Sequence, residues 1–195
     1  MRTAAMVLVF GLGSAVALAQ DNAFPTEIDG FRFDQPSRAM QRACTAQNGT
    51  WEPGGCTLGT GTPDVRFVSF PDLCRRNTVC RVSQGYYESL PADDRAGWMS
   101  KFAAMRTELQ TRFGSQAVPR AGRRECAEQV LQGNGSCVFD NQGAGVQFAF
   151  TAGAGEVLLS LSYNSMRHSP SITRTWASAA AVEQDRNTHE APTPH

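Results

Sequence analysis

The stretch VQFAFTAGAGEVLLSLSY, Val146 to Tyr163, decides the fold class of this chain. Large apolar residues occupy every second position on both sides of a glycine-rich turn, Thr151 to Glu156. This alternation is typical of strands with one apolar and one wet face, and the turn between the two runs indicates a hairpin. The stretch therefore predicts an antiparallel sheet that is covered on one face only.

The residues before this hairpin predict the helix that covers the apolar face. Between Pro91 and Gly114, two aspartates stand near the start and a glycine at the end, which are common signals for the ends of a helix. Apolar residues recur at steps of three and four within it: Trp98, Phe102, Met105, Leu109 and Phe113. Because all five fall on one side of a helix, we expect this side to be buried.

The first half of the chain repeats this order of elements. Residues 33–49, FDQPSRAMQRACTAQNG, predict a helix that ends at Asn-Gly, and residues 65–70 and 78–84 predict strands. We therefore expect a disulfide-stabilised α+β fold of two helix-plus-antiparallel-sheet units of αβββ type, at residues 28–89 and 90–165. The pattern leaves open whether the two units share one continuous sheet.

Both ends of the chain differ in composition from this region. Residues 1–19 carry one arginine and an apolar run that ends in Ala-Leu-Ala, which predicts a secretory signal peptide. The run is shorter than the roughly 20 apolar residues of a membrane span. Residues 20–27 form an N-terminal segment, and residues 166–195 are small, polar and proline-rich. This composition predicts a flexible C-terminal tail with at most a short helix, anchored by Trp176.

Export would place the cysteines in an oxidising compartment, where disulfides persist. The six cysteines are Cys44, Cys56, Cys74, Cys80, Cys126 and Cys137. Six cysteines allow 15 pairings, and the pairs nearest in sequence are favoured because each would lie inside one supersecondary unit. No C-x-x-C pair occurs, and all three histidines lie at residue 168 or later. We therefore expect structural disulfides, with no metal and no cofactor.

The charge of the chain gives no reason to expect nucleic acid or an anionic membrane as a partner. The full sequence has 18 basic and 18 acidic residues, and loss of residues 1–19 removes only Arg2, so the mature charge is 17 − 18 = −1. Every basic residue except Lys101 is an arginine. This bias favours a GC-rich bacterial genome.

The predicted folded region offers few catalytic groups. It contains no histidine between residues 28 and 164, so a serine or cysteine nucleophile would lack its usual base. Asp93 and Asp94 are adjacent acids, but neighbouring helix positions point about 100° apart and do not converge. The sequence therefore assigns no catalytic residue and favours a protein that is not an enzyme.

Two short features are candidate binding surfaces. The segment LCRRNTVCRV, residues 73–82, predicts a hairpin end closed by a disulfide, which would present Arg75, Arg76 and Arg81 to carboxylate or phosphate groups. Tyr86 and Tyr87 follow directly, and because consecutive strand residues face opposite ways, one of them is expected to be exposed.

Together these features predict a secreted or periplasmic, non-catalytic protein. Its role would be that of a macromolecule-binding or envelope-associated module, with a protein or another envelope component as the partner. The alternative is a small exported enzyme that uses carboxylate or tyrosine chemistry on cell-wall or polysaccharide substrates. A structural envelope component without a discrete ligand is a third interpretation.

Overall fold

The computed structural model describes residues 23–62, 64–71, 73–114, 116–140, 144–164 and 168–190. The side chains of Arg75 and of residues 188–190 are outside this description. The predicted signal peptide, residues 1–19, also lies outside the described residues.

Helices and strands follow one another along the chain, mostly with strands paired in local hairpins. One late strand, residues 169–177, instead pairs with a strand from the first half of the chain. The elements are β1 Glu27–Ile28, β2 Phe31–Arg32, α1 Met40–Ala46, β3 Thr50–Glu52, β4 Gly55–Leu58, β5 Arg66–Ser69, β6 Leu73–Cys74, β7 Thr78–Val79, β8 Arg81–Tyr86, α2 Arg95–Phe113, β9 Val118–Ala121, α3 Arg124–Leu131, α4 Ser136–Phe139, β10 Gly145–Ala152, β11 Gly155–Asn164, β12 Ser169–Ala177 and α5 Ala179–Glu190. Short 3₁₀ turns precede α1 and join β6 to β7. The fold class is therefore α+β, as predicted.

One eight-stranded antiparallel sheet organises the molecule, in the order β3-β4-β5-β8-β12-β11-β10-β9. The pairs β1–β2 and β6–β7 form separate two-stranded ribbons. Strands from both predicted units belong to the large sheet, and β12 joins them by pairing with β8 on one side and β11 on the other. The division into two αβββ units therefore does not describe the sheet.

The hairpin predicted for residues 146–163 is present as β10 and β11. Val146 pairs with Leu161, Phe148 with Leu159 and Phe150 with Val157. All six residues are buried, because they share the face of the sheet that lies against the helices. The predicted alternation and its one-sided burial are confirmed.

The predicted long helix is α2, and its ends follow the expected chemistry. The Asp94 side chain accepts a hydrogen bond from the Gly97 N–H at the start, and Gly114 ends the helix at φ +63°. All five residues of the apolar stripe are buried, and the Phe102 and Phe148 rings lie 5.8 Å apart. The helix therefore packs its stripe onto the sheet, as predicted.

The prediction of a flexible tail from residue 166 onward is wrong for the described part of that segment. Residues 169–177 form β12, a central strand, and residues 179–190 form α5. Trp176 is only 2% exposed and belongs to the strand and not to a short helix. The composition misled because β12 carries short hydroxyl residues on one face and Arg174 within the other, so it lacks the apolar density of a typical central strand.

Three disulfides join the predicted neighbours: Cys44–Cys56, Cys74–Cys80 and Cys126–Cys137. The first ties α1 to β4, the second closes the β6–β7 ribbon, and the third ties α3 to α4. Loop-closure entropy gives each about 2.4 to 2.9 kcal/mol of stabilisation in the chain-entropy model. Sequence reasoning missed α3 and α4, and it joined β7 and β8 into one strand where the chain breaks at Cys80.

Candidate functional site

The two faces of the large sheet differ in what covers them. Helices α1 to α4 contribute to one apolar cluster together with the inward side chains of β4, β5, β8, β10, β11 and β12. The N-terminal residues Phe24, Ile28 and Phe31 join the same cluster. One face is therefore the core of the protein.

The opposite face carries mostly uncharged polar side chains in its centre, and we call it the polar sheet face. Its polar residues are Ser83, Gln147, Ser160, Ser162, Ser171, Thr173 and Thr175, and the apolar Leu158 and Ala149 lie among them. Hydrogen bonds between side chains on neighbouring strands join Ser83 to Thr175 at 3.0 Å, Ser162 to Ser171 at 2.8 Å and Gln147 to Ser160 at 3.1 Å. Protein surfaces usually place charges at about a quarter to a third of positions, so this central area is unusually neutral.

Charged residues on this face lie on the edge strand β3, where Glu52 accepts a hydrogen bond from Thr57, and at the end next to α5. Arg81 donates hydrogen bonds to the Ala181 carbonyl and to Asp185 of that helix. Glu156 accepts from Arg120 at the same end. The middle and the far end of the polar sheet face are thus separated from these ion pairs.

Two aromatic rings lie on the far part of this face. A Cβ atom built on Gly85 would fall 2.3 Å from Tyr87 Cε2, so the Tyr87 ring lies directly on the backbone of β8. A Cβ atom on Gly55 would fall 2.6 Å from Phe67 Cζ, and Phe67 pairs with Gly85. Because glycine leaves this space free, both rings can lie against the sheet. Tyr87 is 38% exposed, and Phe67 is half-buried.

A groove borders Tyr87 at the end of the sheet. Its lining, which we call the Tyr87 groove, consists of Tyr87, Glu88, Ser89, Leu90, Pro91, Ala92 and Ser169. The Ser89 side chain is buried, and its Oγ has no hydrogen-bond partner among the described residues. A buried hydroxyl without a partner costs about 1 to 3 kcal/mol. The Ser89 Oγ is also shielded from solvent, so a molecule in the groove would not reach it unless the loop rearranged.

Tyr86 points the other way, as the alternation predicted for one of the two tyrosines. It is 7% exposed, and its ring lies 4.8 Å from Lys101 Nζ. Burial raises the pKa of the Tyr86 hydroxyl, and the charges of Arg174 and Arg66 oppose this shift. Burial also lowers the pKa of Lys101. Tyr86 is thus part of the core side of the sheet, and Tyr87 is the tyrosine available to a ligand.

The predicted cations Arg76 and Arg81 both lie near acidic residues of α5. Arg76 is exposed at the tip of the β6–β7 ribbon with φ +67°, in a groove that also contains Asp34 and Glu183. Arg81 is half-buried and paired with Asp185, and the Arg75 side chain lies outside the described residues. A negatively charged partner at the tip would therefore meet carboxylates as well as Arg76.

A polar network crosses the core side of the sheet and ties the N-terminal segment to α2. Asp29 accepts hydrogen bonds from Arg66 at 2.7 and 2.9 Å and from Gln84 at 2.6 Å. The side-chain oxygen of Gln84, Oε1, accepts hydrogen bonds from Arg174 Nε and from Trp176 Nε1, each at 2.9 Å. Arg174 also pairs with Glu108. Because its acceptors and donors are matched, we assign this network a structural role.

Replacing Asp29 with asparagine should destabilise the fold by about 2 kcal/mol, since charge-assisted hydrogen bonds in a largely buried site are lost. Asparagine keeps the size of the side chain and tolerates the positive φ of 48° at this position. Urea unfolding at neutral pH measures the difference. The matched control is Asp140→Asn, which removes an ion pair to Arg95 that is more than half exposed and should cost less than about 1 kcal/mol.

The stability of the parent protein and that of the Asp29→Asn variant should depend differently on pH in the acid range. Burial raises the pKa of Asp29, but hydrogen bonds from Arg66 and Gln84 and the charges of Arg66 and Arg174 outweigh it, so the pKa lies below the ordinary 3.8. A lowered pKa in the folded state gives stability that is present above pH 3.8 and is lost as the pH falls through the folded value. The Asp29→Asn deficit should shrink below pH 3.8. A deficit that stays constant down to the acid transition would contradict this assignment.

Sequence reasoning missed Phe67, Ser89 and most of the polar sheet face. Alternating serines in LSLSY and alternating hydroxyls in SITRTW were the available signals. Neither signal says that the hydroxyls of β11 and β12 meet those of β8 and β10 on one surface.

None of the helices in the described part of the chain has the length and hydrophobicity that a membrane span requires. Within the same residues, no three His, Cys, Asp or Glu side chains form a group that could hold a metal ion. Comparisons of the chain with models of protein families, with curated proteins and with solved structures found no match.

Proposed function

We propose that this protein is an exported, non-catalytic binding protein of the bacterial envelope or its surroundings. The observation that carries the proposal is the polar sheet face, which is neutral in its centre and carries an exposed tyrosine at its far end. Aromatic residues beside small hydroxyl residues are characteristic of recognition surfaces, because they offer contact area with little loss of side-chain entropy.

Export is supported by two independent features. The first 19 residues have the composition of a secretory signal peptide. Three disulfides and no free cysteine occur in the described residues, and such bonds persist in oxidising compartments. We therefore place the mature protein in the periplasm or outside the cell.

The binding surface can be tested by adding one long charged side chain to it. Thr173→Arg should reduce retention of the purified protein by immobilised envelope material at least about tenfold, because it obstructs the centre of the face. Ala104→Arg, on an exposed position of α2, is the matched control and should not change retention. Separate columns would carry cell-wall material, membranes and soluble periplasmic proteins.

Equal retention of both variants and the parent would contradict a role for this face. Circular dichroism spectra and thermal unfolding of the two variants are needed beside the binding data. They verify that any loss comes from the surface and not from unfolding.

The tip of the β6–β7 ribbon is a second candidate contact, favoured by the exposed Arg76 on a disulfide-closed loop. Contact through arginines should weaken as salt rises, whereas contact through the neutral sheet face should not. Retention that falls steeply with salt, and that is lost in the double variant Arg75→Ser, Arg76→Ser, would assign binding to the tip.

A further inference from the structure

The Cys74–Cys80 disulfide differs from the other two in what surrounds it. The other four cysteines belong to the main apolar core or pack against it. Cys74 and Cys80 instead form a separate small cluster, in which Cys80 is buried together with Ala177 of β12 and Ala181 of α5, and Val182 of α5 packs against them. The disulfide is therefore part of the apolar contact that holds α5 in place.

Helix α5 covers one end of the polar sheet face. Ala177 lies on this face, since it pairs with Arg81 and stands two residues after Thr175, and it is only 2% exposed because Ala181 packs against it. Arg81 also donates hydrogen bonds to the Ala181 carbonyl and to Asp185. Most residues in the described part of α5 are exposed. A helix held by few buried side chains belongs to the parts of a protein that open most readily.

The two strands of the β6–β7 ribbon are held unequally. Strand β7 is fixed to the N-terminal segment, because the Val79 N–H donates to the Gln35 carbonyl at 2.9 Å and the Val79 carbonyl accepts from the Asp34 N–H at 2.8 Å. Strand β6 has two residues, pairs with β7 in a ribbon outside the large sheet, and lies against α5. Opening the disulfide therefore leaves β7 in place, frees Cys74 with β6, and removes part of the support of α5.

We propose that Cys74–Cys80 is a site of thiol–disulfide exchange and that its reduction releases α5 from the polar sheet face. The reductant is a dithiol from outside the chain. Release of α5 would uncover Ala177 and break the ion pair between Arg81 and Asp185, so the reduced protein would present a larger face. This last consequence rests on the proposed function, because it concerns the surface that we propose for binding.

The exchange begins at Cys74. This residue is half-buried and lines a groove of about 530 Å³ beside α5, whereas Cys80 is fully buried. A thiolate of the reductant attacks Cys74 Sγ, the bond between the two cysteines breaks, and Cys80 leaves as a thiolate that takes up a proton. The second thiol of the reductant loses its proton, attacks the mixed disulfide and releases Cys74, which is protonated in turn. The protein gains two electrons and two protons, and the dithiol becomes a disulfide.

Brief treatment of the folded protein with dithiothreitol, followed by alkylation and peptide mapping, tests the exchange step. Cys74 and Cys80 should be alkylated at least about tenfold faster than the other four cysteines, because access to the attacked sulfur limits the rate. Cys137 is also half-buried, so its pair with Cys126 is the relevant comparison. Equal rates for the three pairs, or faster alkylation of Cys126 and Cys137, would overturn the assignment.

Hydrogen–deuterium exchange measures the release of α5. In the double variant Cys74→Ser, Cys80→Ser, the amides of residues 179–187 should exchange at least about tenfold faster than in the parent, while α2 stays protected. Arg76→Ser, an exposed change between the two cysteines, is the matched control and should leave α5 unchanged. Unchanged exchange in α5 of the double variant, or an equal loss of protection in α2, would contradict the proposed coupling. The briefly reduced parent gives the same readout without a substitution.

The coupling should also act in the opposite direction, because linkage between two equilibria is reciprocal. Ala181→Gln places a longer side chain against the disulfide and should displace α5. In a dithiol redox buffer, the ratio of reduced to oxidised Cys74–Cys80 should then rise at least about threefold. Ala179→Gln, at an exposed position of the same helix, is the control and should not change this ratio. The same ratio in Ala181→Gln and the parent would count against the coupling.

Retention by immobilised envelope material connects this device to the proposed function. The Cys74→Ser, Cys80→Ser variant should be retained at least about threefold more strongly than the oxidised parent, because the fraction of molecules with an uncovered face rises. Equal retention, with faster exchange in α5, would overturn the control of binding by α5. If neither protein is retained, the proposed binding function fails, whereas alkylation and hydrogen–deuterium exchange still decide whether the disulfide and α5 are coupled.

Discussion

A chain that ends at Asn164 is expected to be unfolded, because it lacks β12. This strand pairs with β8 from Ile172 to Ala177 and with β11 along its whole length, so its loss separates the sheet into two parts. Each part would expose an unpaired edge and the apolar residues that now surround Trp176. Circular dichroism and urea titration should show no cooperative transition for this truncated protein.

The matched control is a chain that ends at Ser178, which keeps β12 and removes α5. The helix contributes the buried Ala181 and the Asp185 ion pair to Arg81. Losing these contacts should lower stability without abolishing the cooperative transition. A cooperative transition in the shorter chain as well would mean that the elements from β1 to β11 fold without their central strand.

Replacing Phe102 with alanine should lower the free energy of unfolding by about 3 to 5 kcal/mol. Phe102 is fully buried in the middle of α2, with its ring 5.8 Å from that of Phe148 on β10. The surrounding residues belong to a helix and a sheet that cannot both relax into the space, so a cavity would remain. Urea unfolding measures the change.

Trp51→Ala serves as the comparison for an aromatic truncation near the surface. Trp51 lies on the edge strand β3 and is 37% exposed, so its loss should cost clearly less than that of Phe102. Similar losses for the two variants would show that α2 is not the main cover of the sheet. In that case the apolar stripe of α2 would itself be the leading interaction surface.

Local features of the fold could be predicted because their causes are close together in sequence. The β10–β11 hairpin follows from two alternating runs around one turn, and α2 follows from a stripe with a cap at each end. The disulfides join cysteines 6, 11 and 12 residues apart. In each case the partners lie within one supersecondary unit, so neighbouring residues carry the necessary information.

The exposure of Tyr87 could also be predicted in part from neighbouring residues. Alternation along a strand requires Tyr86 and Tyr87 to point to opposite faces, and this is what the structure has. The two tyrosines alone do not show which face of the sheet is buried, because that depends on where the helices pack.

Tertiary structure alone decided the place of β12 and, with it, the candidate site. Gln84 binds Trp176 across 92 positions of sequence, and the Tyr87 groove closes only where Ser169 meets the loop after β8. A strand with hydroxyls on one face and an ion-paired arginine on the other has no apolar pattern that would predict a central position. It becomes a central strand because β8 and β11 supply its hydrogen-bonding partners and Trp176 enters the core, and those interactions exist only after the distant parts of the chain have met.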